Sequence, residues 1–279
     1  MSNVRIGDYE IYYEVKGNGI PILLLEGLGY STWMWKFQVP ELSRRFTMIM
    51  PDNRGVGKST RLSGAYSIEK FASDSLSVID ALEFSKFYVL GVSMGGFIAQ
   101  EVAAMVPDRV KGLILVSTSA GGKKSIPMSR EIYDQMRQSV DGESPKDKVR
   151  RTMKLAFTES FPVSKAKEFD SLIEDRMNSV QAEDQLIYQT LSSINFDRST
   201  SNGNVNIPSL IIAGTDDRVL PWLNSLFLYK NLPKSSLILF LGQNHLLFME
   251  RPNEFNKVVE DFVEKVEDSN FSEFIKVVE

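Results

Sequence analysis

The chain has no cysteine and a single histidine, His245, in 279 residues. The first absence excludes disulfides, thiolate metal sites and a cysteine nucleophile, and the second excludes every zinc site built on several imidazoles. Long apolar runs are missing too. Nowhere do 18 apolar residues stand together and the N-terminus has no apolar core of signal-peptide length, so a cytoplasmic protein with no membrane partner is expected. Lys and Arg total 32 against 36 Asp and Glu, a formal charge of −4. The basic residues are scattered, which argues against a nucleic-acid partner, because phosphate neutralisation needs a concentrated cationic face. A small-molecule substrate is expected, and a homodimer is left open.

With 43% apolar residues the chain can bury a large core. No repeat occurs. Short, two-sidedly apolar runs stand at Ile20–Leu25, Phe46–Met50, Phe87–Leu90, Val110–Val116, Leu210–Ala213 and Leu237–Leu241. Helical patterns lie between them at Ser67–Leu82, Met94–Met105, Trp222–Leu232 and Glu254–Val266. This alternation predicts an α/β fold with a mostly parallel, helix-covered sheet, entered through an antiparallel hairpin about Gly7-Asp8. From 119 to 206 no strand-like run occurs and four stretches have helical spacing. The expected organisation is therefore a core of 1–118 and 207–279 with an all-helical cap inserted at 119–206. The tail places Phe271, Phe274, Ile275 and Val278 at i, i+3, i+4 and i+7, which predicts a helical stripe.

Gly91-Val92-Ser93-Met94-Gly95 follows the run Phe87–Leu90 and precedes a helical pattern. G-x-S-x-G in a strand–turn–helix context lifts a serine hydroxyl out of the sheet at a helix N-terminus, where amides favour a developing anion. Ser93 is thus the candidate nucleophile. His245, on the loop after Leu237–Leu241, is the sole candidate base. The orienting acid should follow a strand and precede the histidine. Gly214-Thr215-Asp216-Asp217 offers two carboxylates, and the commoner pattern, with the acid directly before an x-x-x-Pro segment, selects Asp217 over Asp216. The order Ser93, Asp217, His245 is the Ser…Asp…His order of one hydrolase fold. Two nucleotide-loop fragments fail: Gly57-Lys58-Ser59 has Asp52 where a phosphate loop needs glycine, and Gly27-Leu28-Gly29 has Thr32 where G-x-G-x-x-G ends.

These residues resemble the α/β-hydrolase-fold serine hydrolases of the small esterase, enol-lactonase and cofactor-free haloperoxidase group. Asp52-Asn53-Arg54-Gly55-Val56-Gly57-Lys58-Ser59 is similar to that group's D-x-R-G-x-G-x-S loop, and His245 is followed by Glu250-Arg251-Pro252. The similarity spans roughly residues 5–120 and 205–265. It implies an oxyanion hole made by the backbone N–H groups of Met94 and of Leu28, the latter in Glu26-Gly27-Leu28-Gly29, which resembles H-G-x-G with Glu26 in place of histidine. An ion pair of Glu26 with Arg54 is expected to neutralise that carboxylate. Trp33, Trp35, Met136, Met153 and Phe157 are expected to line an apolar substrate pocket without fixed charge.

The implied activity is cleavage of small, largely apolar carboxylic esters through an acyl-enzyme, with no cofactor and no metal. The same triad also serves carbon–carbon bond hydrolysis, enol-lactonase and perhydrolase chemistry, and a slow-turnover binding or sensor protein would keep it as well.

Overall fold

A computed structural model of the protein describes residues 2–64, 66–179 and 181–279. Its strands are β1 (Ser2–Ile6), β2 (Tyr9–Lys16), β3 (Ile20–Leu25), β4 (Phe46–Pro51), β5 (Phe87–Val92), β6 (Val110–Val116), β7 (Ser209–Gly214), β8 (Ser235–Phe240) and β9 (Ile275–Val278). They form one sheet in the order β1-β2-β4-β3-β5-β6-β7-β8-β9. Pairing is antiparallel at β1–β2 and β2–β4 and parallel across the rest.

The helices are α1 (Val39–Leu42), α2 (Ile68–Ala81), α3 (Met94–Met105), α4 (Arg130–Arg137), α5 (Pro145–Lys154), α6 (Phe161–Ser164), α7 (Ala166–Asn178), α8 (Glu183–Asn195), α9 (Leu223–Asn231), α10 (Leu247–Glu250) and α11 (Pro252–Glu267). Every residue of β4, β5, β7 and β8 is buried, because helices cover both faces of the sheet. One core layer packs α2 and α3 against the sheet through Phe71, Ile79, Ile98 and Val102. The opposite layer packs α11 there through Phe255, Val259 and Phe262. Ser67 caps α2 by accepting the Lys70 amide, as a Ser N-cap should.

Between β6 and β7 the chain forms α4 to α8, with one isolated bridge, Gly121 to Asp197, where it leaves and rejoins the sheet. Phe157, Phe161 and Phe169 build this segment's aromatic centre, with Phe157 and Phe161 stacked at 4.8 Å. The tail departs from the helical expectation. Ile275–Val278 adds a parallel strand to β8, with Leu237 opposite Ile275. Its spacing satisfied a helix, but the open edge of β8 supplied backbone partners that local periodicity does not register. No helix among the described residues is long and apolar enough to cross a membrane.

Candidate active site

Ser93 is the corner between β5 and α3, and its backbone (φ 55°, ψ −119°) lies where L residues rarely sit. Close packing holds it there. A Cβ at Gly91 would lie 2.1 Å from Gly95 O, and one at Gly95 would lie 2.0 Å from Leu25 O. Only glycine lets α3 begin this near β3 and β5. Thr118 Oγ1 donates to Ser93 O at 2.7 Å and secures the corner from the end of β6.

His245 follows β8, and its Nδ1 lies 2.9 Å from Asp217 Oδ2, with the Asp217 side chain fully buried. Asp217 Oδ1 accepts the Val219 and Leu220 amides, both at 2.8 Å. A carboxylate can only accept, so the imidazole proton sits on Nδ1 and Nε2 is left as the basic nitrogen. The Asp216 carboxylate is exposed and, among the described residues, takes only the Thr215 hydroxyl, at 3.0 Å. Asn244, which the sequence did not single out, ties these loops together. Its Oδ1 accepts the Arg218 and His245 amides at 3.0 and 2.8 Å, and its Nδ2 donates to Leu155 O and Phe157 O at 3.1 and 2.7 Å.

After β3 the chain makes a tight turn closed by Tyr30 N–H to Gly27 O at 3.1 Å. Gly29 has φ 70°, the value required at the third position of a type II turn. Gly27 abuts Ser93, since a Cβ there would lie 3.4 Å from Ser93 Cβ. No acceptor among the described residues takes the Leu28 N–H. Met94 opens α3, where a first-turn amide has no partner within the helix.

A cleft of about 480 Å³ joins these parts. Ser93, His245, Leu28, Met136, Met153 and Arg176 are among its lining residues. Three expected pocket residues are not. Trp35 is fully buried and packs on Phe248 at 5.7 Å, and Phe157 belongs to the aromatic centre of the insertion. Trp33 borders a second hollow of about 550 Å³, together with Lys36, Asp52, Lys58 and Arg61. Hydrophobic burial took Trp35 and Phe157 first, as it does most aromatic residues.

The expectation of an uncharged pocket also fails. Lys148 and Arg176 line the cleft, and among the described residues no carboxylate does. Arg176 has no carboxylate partner among the described residues, and its guanidinium lies 4.5 Å from the Tyr30 ring centre. Burial pushes its pKa below the usual range, and Tyr30 opposes that shift.

Glu26 does not pair with Arg54. It is wholly buried, and its Oε1 accepts the Asn53 amide at 2.7 Å. Its Oε2 has no partner among the described residues. Burial, reinforced by the nearby Asp52 charge, lifts its pKa well above the ordinary carboxylate range. Arg54 turns instead to Asp74 of α2. Burial therefore favours the neutral form of Glu26, where an ion pair was expected. Among the described residues no group of three or more His, Asp or Glu side chains could hold a metal ion.

A profile of the alpha/beta hydrolase fold matches residues 20–252. The RutD protein of Azorhizobium caulinodans, to which carbamate hydrolysis is ascribed, is 24% identical over 94% of this chain and 97% of its own length. A 2-hydroxy-6-oxo-2,4-heptadienoate hydrolase of Pseudomonas putida is 27% identical over 93% and 95%. Among solved structures, a thermophilic esterase of Thermogutta terrifontis superposes with a TM-score of 0.79 at 27% identity, covering 95% of this chain and 99% of that one.

Proposed function

The chain belongs to the α/β-hydrolase fold family, and we propose that this hydrolase cleaves small carboxylic esters by acyl transfer through Ser93, His245 and Asp217. One observation carries the reading. A serine held in a strained corner and a histidine whose Nδ1 is fixed by a buried aspartate line the same cleft. His245 Nε2 takes the Ser93 proton as Oγ attacks the ester carbonyl, and the Leu28 and Met94 amides receive the oxyanion. The alcohol leaves with that proton, and water activated by the same imidazole releases the acid. The α4–α8 insertion is the cap that closes over this chemistry. Its Met136 and Met153 supply adaptable apolar contact for the substrate.

A second reading is favoured by the cationic lining. Arg176 and Lys148, with no carboxylate among the described residues of the wall, select against cationic substrates and suit a substrate carrying an acid group. The 2-hydroxy-6-oxo-2,4-heptadienoate named for the P. putida relative is of that kind. The discriminating experiment is a panel of p-nitrophenyl esters of increasing acyl length, with neutral and carboxylate-bearing members, run beside an enol-lactone and a dienoate diketone. Sustained turnover of the esters with fluorophosphonate labelling of Ser93 supports the first reading. Turnover of the dienoate alone supports the second, and a single burst without turnover defeats both.

A further inference from the structure

Two cap helices reach the same residue of the turn beside Ser93. Gln189 of α8 is wholly buried and accepts the Gly29 N–H through Oε1 at 3.0 Å. Arg176 of α7 donates through Nη1 to Gly29 O. The two bonds fall on successive peptide planes, so neither duplicates the other. Packing closes the remaining space: a Cβ on Gly29 would lie 2.8 Å from Arg176 Nη2 and 3.2 Å from Gln181 Oε1.

The chemistry of the turn explains why this matters. Type I and type II turns differ by rotation of the central peptide, here Leu28–Gly29, through changes of about 150° in ψ of Leu28 and about 170° in φ of Gly29. Glycine permits both forms, so the sequence Gly27-Leu28-Gly29-Tyr30 alone leaves the choice open. Gln189 fixes the direction of the central N–H, and Arg176 anchors the carbonyl that follows. The Leu28 N–H, one residue upstream, is left without an acceptor among the described residues, as a donor reserved for a ligand must be.

We propose that Arg176 and Gln189 are positioning residues that pin the Gly27–Tyr30 turn on both sides of Gly29 and thereby hold the preceding peptide, with its Leu28 N–H, in place for the oxyanion, so that the cap governs turnover as well as substrate choice. The inference rests on the acyl-transfer reading above. Loss of one oxyanion donor costs about 10²–10³ in kcat, and a donor that is loosened costs less.

The test uses Gln189→Met, Arg176→Met and Arg176→Lys in the full chain with a short-chain p-nitrophenyl ester. Gln189 Nε2 has no partner among the described residues, so methionine removes an unsatisfied donor while keeping the volume, and the variant should fold. Gln189→Met is expected to lower kcat about 10–100-fold, inside the ceiling for a lost donor, with KM changed less than about threefold. Affinity for an alkyl boronic acid, which forms a tetrahedral adduct on Ser93, should fall by the same factor as kcat. Arg176→Met should act in the same direction, and Arg176→Lys should recover part of the loss, because an ammonium can still donate to Gly29 O.

Variants that melt with the wild type but change KM alone, or that keep full boronate affinity, overturn the proposal. If Arg176→Met fails to fold, Gln189→Met decides alone. A wild-type protein that neither cleaves the ester nor takes a fluorophosphonate on Ser93 defeats the acyl-transfer reading itself. An active, labelled wild type with unaltered variants defeats only the positioning role.

Discussion

Arg54 closes a bidentate ion pair with Asp74, Nε to Oδ2 at 2.6 Å and Nη2 to Oδ1 at 2.7 Å, with both side chains buried. Tyr9 completes it by donating to Asp74 Oδ1 at 2.7 Å while accepting from Arg54 Nη2 at 2.9 Å. Burial, with the Asp74 bond adding to it, pushes the Tyr9 phenol up to about 12. The Asp52–Ser59 loop is thereby bolted to α2 and to the first hairpin. Asp74→Ala should lower stability by about 3–5 kcal/mol in urea unfolding, since it strands a buried guanidinium. The double variant Arg54→Met/Asp74→Leu should regain most of that loss. A single variant as stable as the wild type would refute this account.

Glu26, left without a cation, makes stability depend on pH in a definite direction. Its folded pKa is raised, so folded and unfolded chains both hold the proton below the ordinary glutamate value. Above that value the unfolded chain ionises first. Stability falls by up to about 1.4 kcal/mol per pH unit until the folded pKa is reached. Asp52, raised mainly by burial, adds a term of the same sign. Glu26→Gln should therefore melt more nearly alike at pH 5 and pH 8 than the wild type does, and a steeper dependence in the variant would contradict it.

The strained corner links activity to stability. Ser93→Gly removes the hydroxyl proposed as the nucleophile and relieves the positive φ, so melting should rise by the equivalent of about 1–2 kcal/mol while ester turnover falls on the order of 10³-fold or more. Ser93→Ala should lose activity to the same degree without the gain in stability. Retention of turnover by either variant would remove Ser93 from the reaction.

Asp217→Asn should cost on the order of 10³–10⁴ in kcat by comparison with other triads, because the amide no longer fixes the imidazole tautomer. Asp216→Asn should stay near wild type. Kinetics on the two variants side by side decide the assignment, and a reversed ranking would transfer the role to Asp216.

Asn244→Ala should uncouple the histidine loop from both Asp217 and the insertion, since all four bonds of its amide are lost. A fall in kcat of about tenfold or more, with a Tm loss of several degrees, is expected. Unchanged kcat would make the residue purely structural.

Strands with two apolar faces, such as Leu237–Phe240, were readable locally because burial on both sides leaves a continuous signature. The corner at Ser93 and the pairing of Asp217 with His245 were readable because turn residues and the strand–loop order marked their positions. What escaped depended on partners distant in sequence. Asp74 outcompeted Glu26 for Arg54 from a helix that no motif connects to either residue. Ile275–Val278 became a strand because β8 had a free edge, although the outward Ile275 and Val277 remain 55% and 52% exposed. Arg176 was one of 32 basic residues, and nothing in its helical context distinguished it from a solvated one.

Gly121 bridges Asp197, with Gly122 N–H donating to Phe196 O at 2.9 Å and Arg198 N–H to Ala120 O at 2.8 Å. The segment that carries α4–α8 therefore leaves and returns at neighbouring points beside the sheet. Closure entropy grows only with the logarithm of length, so lengthening a ten-residue connection to about 90 residues costs about 2 kcal/mol. For the sheet, the size of this excursion is almost a free variable. Whatever is spliced in must end where it began, and the β6–β7 register is indifferent to the rest. A chain built this way can acquire a new roof over an old reaction without refolding its foundations.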